Sequence, residues 1–330
     1  MNNKPLYVHT AIAVVSVSAA YAVWQRSGPR PVEADQPVVA PLSRNELKEL
    51  LFIAPQNTLS LQPRKDDAGE NYVWVTVSRE GHPPVSFRGG RYANHVLDGY
   101  LPLHAIRELG TLGAAQLKEG GLEQTNESVR ISSASGQREL KVGTATVAGE
   151  GRRILDTGNQ RVYLLPADLL PKAERAMGEM FDTELHGFPA DETTRVAIEF
   201  EGKQREASVG GRHDPPIFWS WKDDAEHPSQ ELTSWMEHVD RLMARMPAVT
   251  SNPPGEPKLK VTYFRGNQER GFFKMWGCQS EERKKHCLAA TERTIGFVDV
   301  GPIGEQIAND AGRILSTTGE RIARPGNINH

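Results

Sequence analysis

The chain of 330 residues lacks the composition and the motifs of several large functional classes. Its formal net charge of −3 comes without a basic stripe, which argues against nucleic-acid binding. It has no His-Glu-x-x-His pair, no Gly-x-Ser-x-Gly turn and no glycine-rich loop ending in Gly-Lys-Ser or Gly-Lys-Thr. We therefore predict no catalytic residue, metal site, cofactor or small-molecule substrate. With 38% hydrophobic and 25% charged residues, the chain is long enough for about two folded domains.

An apolar segment near the N-terminus, from Leu6 to Trp24, contains no Asp, Glu, Lys or Arg. Its length suits one bilayer-crossing helix, and Tyr7 and Trp24 lie at its two ends, where aromatic rings suit the lipid headgroups. A cleaved signal peptide is the alternative, because Ala20-Tyr21-Ala22 fits a small-x-small cleavage site. Residues 1–26 thus predict a single span in the inner membrane, with the rest of the chain in the periplasm and the membrane as a partner.

The following residues predict a linker and then two similar domains. Residues 27–42 are rich in proline, which is typical of an extended linker. Ser43-Arg44-Asn45-Glu46 fits a capping box and predicts a short helix after it. The order of predicted elements then reads twice, over residues 43–186 and 187–318, and residues 319–330 form a disordered tail. The predicted fold class is therefore α+β: a tandem duplicated domain of short antiparallel strands with two helices per copy, preceded by one N-terminal transmembrane helix.

The two cysteines, Cys278 and Cys287, lie close together in one segment. A disulfide between them would close a loop of about ten residues and would indicate an oxidising compartment. Two unpaired thiols are the alternative. A zinc site is less favoured, because no second pair at metal-binding spacing accompanies them.

Several short motifs in the first copy follow one another in an order that resembles a known family. They are Gly121-Leu122 before a strand at Val129, then Leu140-Lys141-Val142-Gly143, then Arg161-Val162-Tyr163-Leu164-Leu165 before a helix. This order resembles the bacterial domain-of-unknown-function family numbered 4340. The resemblance implies a single-span, periplasm-facing protein associated with ABC-type transport or with auxiliary components of gliding motility, and it supplies no catalytic residues. The Cys-containing stretch from Lys274 to Thr294 departs from the pattern as an apparent insertion.

One motif is similar to the catalytic segment of aspartic proteases: Ile154-Leu155 precedes Asp156-Thr157-Gly158. Such a site needs two carboxylates that share a proton, and the sequence holds no second Asp-Thr-Gly or Asp-Ser-Gly. A homodimer would have to supply the second one. The simpler interpretation is a hairpin turn, since Asp, Gly and Asn are common turn residues.

An aromatic segment at Phe218, Trp219 and Trp221 is the candidate partner-binding surface. The alternative is a strand that points both tryptophans into the core, with Ser220 outward. These observations predict a non-catalytic accessory or interaction protein outside the cytoplasm, with envelope or transporter proteins as partners. A dimeric aspartic-type protease that uses Asp156, or an envelope glycan or lipid binder, remains as an alternative.

Overall fold

Alternation of apolar and polar residues along the chain produces a mainly β structure. In the segment Asn71–Arg79, for example, Val73, Val75 and Val77 are buried and the intervening side chains are more exposed, as expected for a strand with one face on a core. The computed structural model describes residues 36–66, 69–146, 151–210, 217–248, 255–281 and 284–316.

The first part of the chain forms eleven strands and three α-helices within the described ranges. The strands are β1 Val38–Ala40, β2 Leu47–Ala54, β3 Asn57–Lys65, β4 Asn71–Arg79, β5 Val85–Gly89, β6 Leu103–His104, β7 Arg107–Gly110, β8 Ser128–Ser133, β9 Gly136–Ala145, β10 Arg152–Asp156 and β11 Arg161–Leu165. The helices are α1 Arg91–Gly99, α2 Ala114–Glu119 and α3 Ala173–Glu179.

The second part forms eight strands and two α-helices, counted over the same described ranges. The strands are β12 Arg195–Phe200, β13 Lys203–Gly210, β14 Phe218–Trp221, β15 Met246–Pro247, β16 Leu259–Arg265, β17 Gln268–Glu281, β18 Lys284–Thr291 and β19 Val298–Asp299. The helices are α4 Gln230–Asp240 and α5 Ile303–Ser316.

The two large sheets share one strand order. The first runs β5-β4-β3-β2-β8-β9-β10-β11-β7, and the second runs β14-β13-β12-β16-β17-β18-β19-β15. When the two orders are aligned with β4 on β14, each strand from β4 to β7 in the first order has one counterpart in the second. Strand β5, at the end of the first sheet, is the one strand of these two sheets without a counterpart. The paired strands in both sheets are antiparallel, whereas β1 and β6 form a separate two-stranded sheet.

The predicted fold class is wrong in its proportions. Strands dominate the described chain and reach 14 residues in β17, and the first sheet is accompanied by three helices instead of two. The helix predicted after Ser43 is the strand β2. Ser43 and Glu46 make one of the two hydrogen bonds of a capping box, with Ser43 N donating to Glu46 Oε2 at 2.9 Å, but the Ser43 hydroxyl also donates to Glu46, and a turn and not a helix follows. Leu47, Leu50 and Leu51 fit a helical face as well as a strand, and burial of Leu50 and Phe52 selects the strand.

The predicted membrane span, Leu6 to Trp24, lies outside the described residues. Among those that the structure describes, no helix is long and apolar enough to cross a membrane. The described residues thus contain no span for the predicted single-span inner-membrane protein with the membrane as a partner, and we carry that prediction no further.

The segment predicted as the end of a linker is part of the fold. Val39 and Ala40 of β1 are buried in the hydrophobic core. Their backbone is held in place, since Ala105 N donates to the carbonyl of Pro37 at 2.9 Å and Arg138 donates to the carbonyl of Val39. Folded structure therefore begins before residue 43.

One large hydrophobic core includes residues of both large sheets, and a buried ion-pair network lies where the sheets meet. A smaller cluster of Leu122, Leu155 and Val162 is separate from it. Asp182, which is 9% exposed, accepts a hydrogen bond from Nε of Arg293 in the second half and also forms an ion pair with Nη2 of the same residue. It faces Arg88 of β5 at 3.8 Å. The chain around Asp182 also bonds to both halves: Asp182 N donates to the carbonyl of Arg88, and Ala244 N donates to the carbonyl of Thr183. The connecting segment thus holds the two sheets together.

Candidate functional site

Asp156 is the last residue of β10, directly before the turn to β11, and is fully buried. Its Oδ1 accepts a hydrogen bond from the Gly158 backbone at 2.9 Å, and Arg138 places Nη2 at 3.1 Å from its Oδ2. Gln160 N closes the turn on the Asp156 carbonyl. A carboxylate held in this way by a turn and an arginine has no access to a substrate, so the geometry favours the structural interpretation of Asp156-Thr157-Gly158.

Cys278 and Cys287 form a disulfide. They lie directly opposite each other on β17 and β18, with their Cα atoms 4.1 Å apart, so the bond joins two strands of one hairpin. The expectation of an inserted loop is wrong, because both cysteines lie on long paired strands of the sheet, β17 and β18. The backbone N–H of Cys287 donates to Asp299 Oδ1 and not to β17. Cys278 and Cys287 are therefore a cross-strand pair that exchanges no backbone hydrogen bonds, and the Cα atoms of such pairs lie closer together than those of hydrogen-bonded pairs.

The aromatic segment on β14 is mainly part of the core. Trp219 and Trp221 are 5% and 8% exposed, and Ser220 is also buried, which corrects the expectation that it points outward. Only Phe218 of the three predicted contact residues keeps an exposed side chain, at 40%. The backbone of Trp219 is occupied by the start of α4: its N–H donates to Thr233 Oγ1 and its carbonyl accepts from Ser229 N.

The three sequence candidates therefore do not converge on one site. Asp156 belongs to the first sheet, the disulfide to β17 and β18, and the tryptophans to β14. Among the described residues, no group of three or more His, Cys, Asp or Glu side chains is placed to hold a metal ion.

A groove with a mainly apolar lining and a few charged side chains, which the sequence did not indicate, lies beside the C-terminal end of α4. It has a volume of about 440 Å³, within the usual range of ligand pockets. His186 and Phe188, from the segment that joins the two halves, lie against Tyr263 of β16, with ring centroids 4.7 and 5.4 Å from the tyrosine ring. Asp240, the last residue of α4, completes the polar lining.

A second cavity of about 530 Å³ adjoins this groove along α4. The two cavities share Ala190, Asp240 and Arg241 in their linings. Arg241, the residue directly after α4, is 3.7 Å from Glu237 in the last turn of that helix, and this contact partly neutralises its charge. Asp240 thus lies between two concave spaces.

Carboxylates shape the electrostatics of the groove. Asp240 keeps an exposed side chain. Partial desolvation by the protein around it raises its pKa to about 6, with His186 acting in the opposite direction and Glu237 adding to the rise. The pKa of Tyr263 is also raised, first by burial and then by the charges of Asp240 and Glu292. The tyrosine hydroxyl therefore lies in the field of two carboxylates.

Two polar atoms of the groove residues have no hydrogen-bond partner among the described residues. They are the hydroxyl of Tyr263, whose residue is 1% exposed, and Nε2 of His186. Buried tyrosine hydroxyls and imidazole nitrogens are normally paired. The other ring nitrogen of His186, Nδ1, is paired with Glu292 Oε1 at 3.1 Å.

No sequence motif could have located this groove. His186 and Glu292 are 106 residues apart, and their contact exists only because the joining segment lies against the loop after β18. The histidines of the chain are scattered, and neither spacing nor composition distinguishes His186 from the others.

Comparison with known proteins gives no relative. No protein-family model, curated protein or solved structure matches the chain. The resemblance to family 4340 accordingly stays a prediction.

Proposed function

We propose that this chain is a non-catalytic accessory protein that acts through protein contacts in an oxidising compartment. The observation that carries the proposal is the placement of Asp156: the one protease-like carboxylate is fully buried, paired with Arg138 and used by its own turn. The Cys278–Cys287 disulfide supports an oxidising compartment. An ABC-type transport or motility assembly as the larger complex rests on the resemblance alone.

The two alternatives have weaker support. A dimeric protease would need Asp156 within about 3 Å of its equivalent in a second chain, which requires loss of the Arg138 pair and exposure of a buried turn. A glycan or lipid binder that uses the aromatic segment would need exposed rings, whereas Trp219 and Trp221 are buried. Pull-down with immobilised glycans and lipid vesicles tests the second alternative.

Cross-linking mass spectrometry in the native cell tests the proposal, with the wild-type chain and an Asp156→Asn variant. We expect both proteins to cross-link to the same partner protein through the same residues. Asn keeps the size of Asp and can still accept the Gly158 hydrogen bond, so the turn should persist. If Asp156→Asn abolished a hydrolytic activity of the wild-type protein while its fold was retained, the protein would be an enzyme and the proposal would be wrong.

A further inference from the structure

The groove beside α4 offers hydrogen-bond acceptors without a matching donor. If the Nδ1 of His186 carries the proton that Glu292 accepts, Nε2 presents a lone pair, and this atom has no partner among the described residues. The Tyr263 hydroxyl can also accept a hydrogen bond, and it too lacks a partner there. Both atoms are closed to solvent, so a ligand that donates two or more hydrogen bonds would satisfy them once the side chains turn toward the groove.

The charges select the sign of that ligand. Asp240 has no ion-pair partner within the described part of the chain, although it lies beside the groove at the end of α4. Glu292 lies behind His186, and Glu184 lines the groove while also contacting Arg293 at 3.1 Å. Arg241 also lines the groove, but Glu237 lies 3.7 Å from it and offsets its charge. An anion would therefore meet mainly carboxylates, whereas a cation would pair with Asp240.

The aromatic lining suits the same class of ligand. The rings of Phe188, Tyr263 and His186 lie against one another, with centroids 4.7–5.4 Å apart. Such a ring cluster can attract a cation through its π faces and can cover the methylene groups of a long side chain.

We propose that this groove binds the cationic side chain of a lysine or arginine that a partner protein inserts beside Asp240 and Tyr263. An ammonium group has three donors and a guanidinium has five, which is enough for Asp240, the Tyr263 hydroxyl and His186 Nε2 together. The inference rests on the proposed function, because the basic side chain belongs to a protein partner.

The test uses the full-length chain and small probes in place of the partner. Nα-acetyl-lysine N-methylamide and its arginine counterpart are titrated at pH 7.5, and the imidazole signal of His186 is followed by NMR. The norleucine analogue, which lacks the amine, and the glutamate analogue are the chemical controls. We expect saturable shifts with the lysine or arginine probe and no saturation with either control.

Three variants locate the binding. Asp240→Asn should weaken binding of the cationic probe about tenfold because it removes a charge-assisted hydrogen bond. Tyr263→Phe should weaken it by a smaller factor. Glu226→Gln removes the same charge at an exposed position outside the groove and should leave the affinity unchanged. Thermal melts of each variant confirm that it is folded.

Two results would overturn the inference: norleucine or glutamate probes binding as tightly as lysine, or equal affinity of wild-type protein and Asp240→Asn. Either result would leave the proposed function standing if the cross-links to a partner protein persisted. Loss of the cross-linked partner with retained probe binding would instead remove the proposed function and keep the groove as a site for cationic groups.

Discussion

Replacement of Asp182 by Asn should destabilise the protein more than any ordinary surface change. The carboxylate lies between Arg88 and Arg293, and the side chains of all three are at most 20% exposed. Arg293 donates to Asp182 Oδ2 from Nε at 3.0 Å and approaches it with Nη2 at 2.9 Å. The neutral amide would leave two partly buried guanidinium groups with less negative charge between them.

The expected loss is about 2–4 kcal/mol in the free energy of unfolding. Removing one partner of a buried pair commonly costs about 3–5 kcal/mol. The lower range applies here because Arg88 keeps Asp66 at 3.3 Å and Arg293 keeps Glu184 at 3.1 Å. Urea unfolding, followed by both far-UV circular dichroism and tryptophan fluorescence, measures the change, and coincident transitions would justify a two-state analysis.

A double-mutant cycle with Arg293→Gln separates the pair from its surroundings. We expect a coupling free energy of about 1.5–3 kcal/mol between Asp182 and Arg293. The exposed pair Glu237 and Arg241, 3.7 Å apart at the C-terminal end of α4, is the matched control and should show about 0.5 kcal/mol or less. Coupling at Asp182 no larger than in this control pair would refute the reasoning that the network joins the two sheets energetically.

Three further predictions follow from the same contacts. Reduction of Cys278–Cys287, or its replacement by two serines, should lower the free energy of unfolding by about 2–3 kcal/mol in the chain-entropy model, measured with and without reductant. A chain that begins at residue 43 should be about 1–3 kcal/mol less stable in urea than one that begins at residue 36, since it lacks buried Val39; equal stability would show that β1 contributes nothing. The pKa of Asp240 is higher in the folded protein than in the unfolded chain, so ionisation of Asp240 lowers the free energy of unfolding as pH rises from about 4 to about 6 and changes it no further above that. Urea unfolding should therefore show Asp240→Asn to be more stable than wild type at pH 7 but not at pH 3.5.

The sequence allowed some local features to be predicted, because those features depend on neighbours along the chain. The turn at Asp156 follows from Asp, Gly and Asn between two apolar strands, and the pairing of Cys278 with Cys287 needed only a hairpin to place the residues opposite each other. The inward position of Trp219 and Trp221 was one of two stated alternatives, and the burial of both rings selects it.

Other features were beyond local reasoning. Leu47, Leu50 and Leu51 satisfy both a helical and a strand period, and only the pairing of β2 with β3 and β8 decides between them. β1 contains three residues and gains its burial from a distant strand, β6, so its proline-rich surroundings suggested a linker. The groove depends on contacts among the joining segment, α4, β16 and the loop after β18, which no spacing rule connects.

The backbone contacts of Trp219 bear on how this protein avoids self-association. An unpaired strand at the end of a sheet is a template on which another chain can add, and this is a common route to aggregation. β14 occupies such a position, but the start of α4 already uses the N–H and the carbonyl of Trp219. The outer edge of β5 is covered in the same manner, because Gly90 N donates to the carbonyl of Met180 and Asp182 N donates to the carbonyl of Arg88. Concentrated solutions of the folded protein should therefore resist growth of fibrils from these two strands, and a fibril that did form would first require α4 or the joining segment to detach.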